Sequence, residues 1–152
     1  MIRLVRSDSS HPDFRALVHL LDQDLAIRDG ADHSFYAQFN KINAIQHCVI
    51  AYTDEQPVGC GAIKAFGTDA MEVKRMYVSP VSRGKSIAMQ ILSELEAWAK
   101  ELGMSKTILE TGQKQPEAIA LYSKAGYLRT PNYGQYIGIE NSLCFEKILT
   151  IK

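Results

Sequence analysis

A chain of 152 residues, 46% hydrophobic and 22% charged, has the size and composition of one globular domain and lies outside those of disordered or fibrous chains. Its 17 basic and 17 acidic residues cancel, which argues against a general nucleic-acid binder and leaves no electrostatic reason to sit on a membrane. The opening MIRLVRSDSSHPDF lacks an apolar stretch of signal-peptide length, and no later run has the length of a bilayer span. A single domain over residues 1–152 and a cytoplasmic location are therefore expected. Cys48, Cys60 and Cys144 are widely separated, and although His47 adjoins Cys48 no C-x-x-C pair occurs, so buried reduced thiols and no metal site are expected.

Ile2 to Arg6 alternate as a strand, and Asp8-Ser9-Ser10 with Pro12 forms a turn able to cap a helix starting near Pro12 or Asp13. Leu17, Leu20, Leu21 and Leu25 recur at helical spacing. Asp29-Gly30 signals a turn, and HSFYAQFNKINAI then reads as a second helix with Phe35, Phe39, Ile42 and Ile45 on one face. From Cys48 the period changes: CVIAY is a strand, Asp54 to Pro57 a hairpin turn, and VGCGAIKAF the antiparallel partner. Gly67-Thr68-Asp69 turns the chain into a further strand, MEVKRMYV. A helix from about Gly84 to Glu101 follows, with Ile87, Ile91, Leu92, Leu95 and Trp98 or Ala99 as its buried stripe and Gly103 as its stop. TILE is a short strand, PEAIALYSKAG a last helix opened by Pro116 and closed by Gly126, and LCFEKIL the final strand. Strand, helix and strand from MEVKRMYV through TILE require a parallel pair, whereas the earlier hairpins are antiparallel. The order predicts a mixed α+β fold with helices on both faces of the sheet.

The most informative stretch joins MEVKRMYV to the helix after it, through Ser79-Pro80 and the turn Arg83-Gly84-Lys85-Ser86-Ile87-Ala88. The first amides of a helix lack intrahelical partners and lie at the positive end of its dipole, so a basic, glycine-containing turn at that point makes an anion site suited to phosphate. Neither G-x-G-x-x-G nor G-x-x-x-x-G-K-[ST] is present, which weakens dehydrogenases and nucleotide hydrolases. Here the chain resembles the GNAT superfamily of acyl-CoA-dependent N-acyltransferases, whose signature R/Q-x-x-G-x-G/A after a strand binds the CoA pyrophosphate. KRMYVSP before the turn, LETG after it and PEAIALYSKAGY beyond extend the likeness over roughly residues 70–128. Two positions depart from the pattern: Ser86 stands where glycine is usual, and Gln115 where asparagine is often found just before the last helix.

The resemblance implies a GNAT-like fold, a central mixed, mostly antiparallel sheet splayed at a parallel pair, and acetyl-CoA as co-substrate. It assigns Arg83, Gly84, Lys85, Ser86, Ile87 and Ala88 to the pyrophosphate, Gln115 to the pantetheine arm, and the exposed edge at Met76, Tyr77 and Val78 to the same arm, added almost as another strand. It puts Tyr122 near the thioester sulfur as general acid or hydrogen-bond donor, a role a phenol with a pKa of about 10 can fill at neutral pH. Glu72 corresponds to a glutamate that acts as base in some members, and a partly apolar cleft would raise its pKa; an exposed glutamate, or one paired with Lys74 or Arg75, is the alternative. Glu110, at the C-terminal edge of a parallel strand, competes for the base or acceptor-binding role.

The two N-terminal helices commonly wall the acceptor site in this family, which nominates His33, Tyr36 and Asn40 as substrate-binding residues; Phe35 and Phe39 have core spacing instead. PNYGQYIGIENS, with Tyr133, Tyr136 and Asn141, either closes over the acceptor or forms a homodimer contact. The expected activity is transfer of an acetyl group to a primary amine of a small molecule or peptide by direct attack, since no cysteine is placed by motif for a covalent intermediate. The rival is a silent acyl-CoA-binding sensor or regulatory module.

Overall fold

The computed structural model describes residues 2–29, 45–113 and 115–149. Residues 33–44 of the second predicted helix, and with them the acceptor candidates His33, Tyr36 and Asn40, lie outside the described residues. In chain order the elements are β1 (Ile2–Ser7), α1 (Pro12–Asp29), β2 (His47–Thr53), β3 (Gln56–Phe66), β4 (Ala70–Val78), α2 (Ile87–Glu101), β5 (Lys106–Gly112), α3 (Pro116–Lys124), β6 (Leu128–Thr130) and β7 (Ser142–Ile148). They build one seven-stranded sheet in the order β1-β2-β3-β4-β5-β7-β6. Every neighbouring pair is antiparallel except β4 with β5, as the intervening helix requires. Strand β6 has three residues, too few to display an alternation, and so had no signal in the sequence.

Each helix covers a face with its own apolar stripe. On one face α1 buries Phe14, Leu17, Val18 and Leu21 against Cys48, Ile50, Cys60 and Ala62. Leu20, assigned to this stripe from its spacing, is 44% exposed, and Phe14 holds the core position at the start of the helix. On the other face α2 buries Ile87, Ile91, Leu92, Leu95 and Ala99 against Val49, Ile63, Val73 and Leu109. Trp98 is only partly buried, and the Arg6 guanidinium lies 4.9 Å from its ring centroid. Burial of such a side chain is worth about 1.5–3 kcal/mol, so the two stripes hold the three layers together. Gly59 and Gly61 let α2 approach the sheet: a Cβ on Gly61 would meet Met76 Sδ at 2.5 Å and Ile91 and Leu95 at 2.9 Å.

The register of β3 and β4 slips opposite Gly61. Cys60 pairs with Tyr77 but Ala62 pairs with Lys74, so β4 holds one residue more than its partner, and Arg75 takes the left-handed φ of 59° within this bulge. Side-chain alternation is reset at that point. Glu72 and Lys74 lie on the α1 face; Arg75, which would otherwise turn away, reaches Asp22 on α1, and Tyr77 joins the same cluster. Met71, Val73, Met76 and Val78 face α2.

Candidate active site

The parallel pairing of β4 and β5 runs only from Ala70 with Lys106 to Val73 with Leu109, and beyond it the strands part. A cleft of about 610 Å³ occupies the gap, walled by β4, β5, the N-terminus of α2, α3 and part of α1. Tyr122, Glu72 and Glu110 all line it, as do Met76, Tyr77, Val78, Arg83, Gly84, Ser86, Ile87, Ala88 and Gln115; Lys85 does not.

One end is a cradle of amides. The turn into α2 is left-handed twice, at Gly84 (φ 80°) and at Ser86 (φ 63°), so the helix begins at Ile87 rather than at Gly84 as its sequence suggested. A serine in this conformation carries a steric cost of about 1–2 kcal/mol that glycine avoids. The Ser86 side chain caps nothing, and the first helical bond runs from Gln90 N to Ser86 O. The amides of Ile87, Ala88 and Met89 therefore have no intrahelical acceptor. Lys85 is exposed beside them.

Along the middle runs an open strand edge. Ser79 N donates to Val58 O, which turns the peptide groups of Tyr77 and Ser79 toward β3 and those of Met76 and Val78 toward the gap. Arg83 braces this edge: its Nε donates to the Val78 carbonyl at 2.8 Å, and its guanidinium lies 5.8 Å from the Tyr77 ring centroid. Its motif position thus has a second, structural use that no sequence pattern disclosed. Gln115 precedes α3 without capping it through its side chain.

At the far end the ionisable groups converge. Tyr122 is 6% exposed, packs edge-on to Tyr127 at 5.8 Å, and its hydroxyl has no hydrogen-bond partner among the described residues. Burial, and then the charge of Glu110, push its pKa up, so the phenol keeps its proton. Glu72 is 6% exposed; Tyr133 donates to its Oε2 at 2.8 Å and the Lys74 ammonium stands 3.6 Å from its Oε1. The alternative of a Lys74 pair is thus realised, inside the cleft rather than on the surface. Tyr133 is steadied by Phe66 and Tyr136, at ring distances of 4.9 and 5.8 Å. Its loop is pinned by Asn132 Nδ2, which donates to the carbonyls of Tyr136 and Ile139 at 3.0 Å. Among the described residues no group of three or more His, Cys, Asp or Glu side chains is placed to hold a metal ion, and no helix is long and apolar enough to cross a membrane.

A splayed parallel pair, with a helix N-terminus at one end and buried ionisable groups at the other, defines an acyl-carrier cleft of the N-acetyltransferase class. Residues 14–127 match the model of the acetyltransferase (GNAT) family, and the chain belongs to that family. It is 44% identical over 94 residues to the IAA acetyltransferase of Azospirillum brasilense, covering 60% of this chain and 61% of that protein. The chain thus spans about six-tenths of that relative's length. Among solved structures, the putative acyl-CoA N-acyltransferase of Klebsiella pneumoniae superposes with a TM-score of 0.83 at 28% identity, covering 99% of both chains. The PaiA N-acetyltransferase of Thermoplasma acidophilum, solved in complex with coenzyme A, shares the fold at a TM-score of 0.72 and 18% identity, over 97% of this chain and 99% of that one.

Proposed function

We propose that the protein transfers an acetyl group from acetyl-CoA to a primary amine of a small molecule or peptide, by direct attack in a ternary complex in the cytoplasm. The observation that carries this reading is the continuity of the cleft from the first amides of α2, along the open edge at Met76 and Val78, to the hydroxyl of Tyr122. The residues fit the group. Three amides and Arg83 suit a pyrophosphate, and the peptide groups of Met76 and Val78 suit an amide-bearing arm. The family and the coenzyme A complex of a structural relative point the same way.

When bound, acetyl-CoA supplies the activated thioester. The acceptor nitrogen forms a bond to the carbonyl carbon, the carbon–sulfur bond breaks, and the thiolate takes up a proton. Tyr122, kept protonated by its raised pKa and without a hydroxyl partner among the described residues, supplies a hydrogen bond to the departing sulfur or that proton. Glu72, held by Tyr133, accepts the proton that the ammonium form of the acceptor must lose, with Glu110 as its competitor. The backbone N–H of Val78 or its neighbour polarises the carbonyl. A covalent acetyl-enzyme is disfavoured because Cys48, Cys60 and Cys144 are all buried and burial raises the pKa of each thiol, that of Cys48 to about 12.

Release of free thiol from acetyl-CoA on addition of an amine, with mass-spectrometric detection of the acetylated product, tests this reading. Tight CoA binding with no thiol released by any amine favours the silent sensor instead.

A further inference from the structure

The α1 face of β4 carries both signs of charge, and its cations have donors to spare. The Lys74 side chain is 9% exposed, yet at 3.6 Å from Glu72 Oε1 its ammonium is too distant for a hydrogen bond, and among the described residues it makes none. Arg75 gives Nη1 to Asp22 at 2.5 Å, while its Nε is buried with no partner among the described residues. Both residues line the cleft beside Glu72. An ammonium has three donors and a guanidinium five, and leaving them unmade in a water-poor site is costly. Arg75 closes an ion pair on Asp22 with one nitrogen only, and Lys74 does not close on Glu72 as it would if it served only to neutralise that acid. The bulge that turns both toward the same face instead presents open donors next to a carboxylate.

We propose that the acceptor is an amine bearing its own carboxylate beside the reacting nitrogen, an α-amino acid or a close analogue, bound with its ammonium toward Glu72 and its carboxylate toward Lys74 and Arg75. The proposal rests on the acetyltransferase reading above and names its substrate class. The spacing agrees. In an α-amino acid the nitrogen and the nearer carboxylate oxygen are about 3 Å apart, set by two backbone bonds and one carbon–oxygen bond, and the Glu72 and Lys74 charges are separated by 3.6 Å. A zwitterion laid antiparallel to that pair satisfies both. Tyr133 occupies Glu72 Oε2 and leaves Oε1 facing Lys74. A polyamine or other purely cationic acceptor would bring its charge against Lys74 and Arg75 with nothing to offer them.

A panel of the common α-amino acids, each paired with its methyl ester, tests the proposal with acetyl-CoA and thiol release as readout. The ester keeps the amine and removes the anion, and its less basic nitrogen is more fully deprotonated at neutral pH, so a preference for the acid points to the site. The best acid is expected to exceed its ester at least about tenfold in kcat/KM, the effect of losing one or two charge-assisted hydrogen bonds. Lys74→Gln is expected to bring that ratio close to one, chiefly through KM, and Lys74→Arg to restore it. Esters or simple amines acetylated as well as the acids by the wild type, or a ratio unmoved in Lys74→Gln, overturn the proposal. Thermal denaturation of the CoA-loaded chain separates this from failure of the acetyl-transfer reading. Acids that raise the midpoint where esters do not, without thiol release, support the acceptor class and contradict catalysis; neither raising it, without thiol release, contradicts both.

Discussion

Tyr122 and Glu72 differ in how the fold treats them, and that difference predicts how each fails. Tyr122 has a hydroxyl kept protonated by burial and without a partner among the described residues. Tyr122→Phe removes one proton donor and no packing, so kcat should fall by about 10²-fold or more while acetyl-CoA affinity stays near wild type, as isothermal titration beside steady-state kinetics would record. Glu72 is oriented by a neighbour: Tyr133→Phe deletes the 2.8 Å bond to its Oε2 and should lower kcat/KM about tenfold. A Tyr133→Phe enzyme as active as wild type would remove Glu72 from its role or show the bond to be idle. Ser86 is the third case. Its left-handed φ of 63° suits glycine, the residue of the family signature at this position, so Ser86→Gly should raise stability by about 0.5–1 kcal/mol in urea denaturation. A loss of stability would mean that the hydroxyl holds something the backbone does not. That Tyr122 and Glu72 share one cleft was legible through the family resemblance, and Glu110 through its place at the end of a parallel strand. Tyr133 was legible only as a loop aromatic, since its target lies 61 residues away.

At the scale of elements, the strand edge and the bulge matter most. The early hairpins and the parallel pair followed from hydrophobic period and connection length, which local sequence carries, whereas the insertion of β7 between β5 and β6 did not. The bulge at Arg75 did not, because strict alternation through MEVKRMYV sends Arg75 to the opposite face from Glu72 and Lys74 and nothing in that run contains glycine. The relevant glycine, Gly61, lies on the neighbouring strand. Gly61→Val would push a branched side chain into Met76, Ile91 and Leu95, two of them anchored on α2. We expect a cost of about 1–3 kcal/mol and weaker CoA binding together, because the same contact positions the N-terminus of α2. Denaturation curves and calorimetry on one preparation would show whether the two losses are coupled. The start of α2 was misplaced by three residues for a related reason: Gly84 and Ser86 hold conformations outside the helical region, and a serine announces no such thing.

For the whole molecule, burial of neutral acids sets the response to pH. Cys48, Cys60 and Cys144, with Tyr52, Tyr122, Tyr127, Tyr133 and Tyr136, all have pKa values raised in the folded state, with desolvation as the first cause. Above the unfolded-state values of about 8.5 for thiols and 10 for phenols, the unfolded chain releases protons that the folded one retains. This contribution is fully present below pH 8 and falls as pH rises, by at most about 1.4 kcal/mol per pH unit for each deeply buried group between its unfolded and folded values, and by less for Tyr52 and Cys144. Denaturant midpoints between pH 7 and pH 11 should drop steeply in the upper half of that range, and a flat profile would contradict the burial of these groups. Coherence of the layers also depends on a polar chain across them. Thr107 meets Tyr127 Oη at 2.7 Å, Tyr127 donates to Glu96 at 2.9 Å, and Lys147 reaches the other oxygen of Glu96 at 2.9 Å, tying β5, α2 and β7 together. All of this organises one cleft, and the most direct test of its purpose is a single incubation of the chain with acetyl-CoA and a mixed panel of amines and amino acids, followed by thiol titration and mass spectrometry. Free thiol in proportion to an N-acetylated product is the predicted result. Saturable CoA binding with neither thiol nor product above the rate without protein would contradict it.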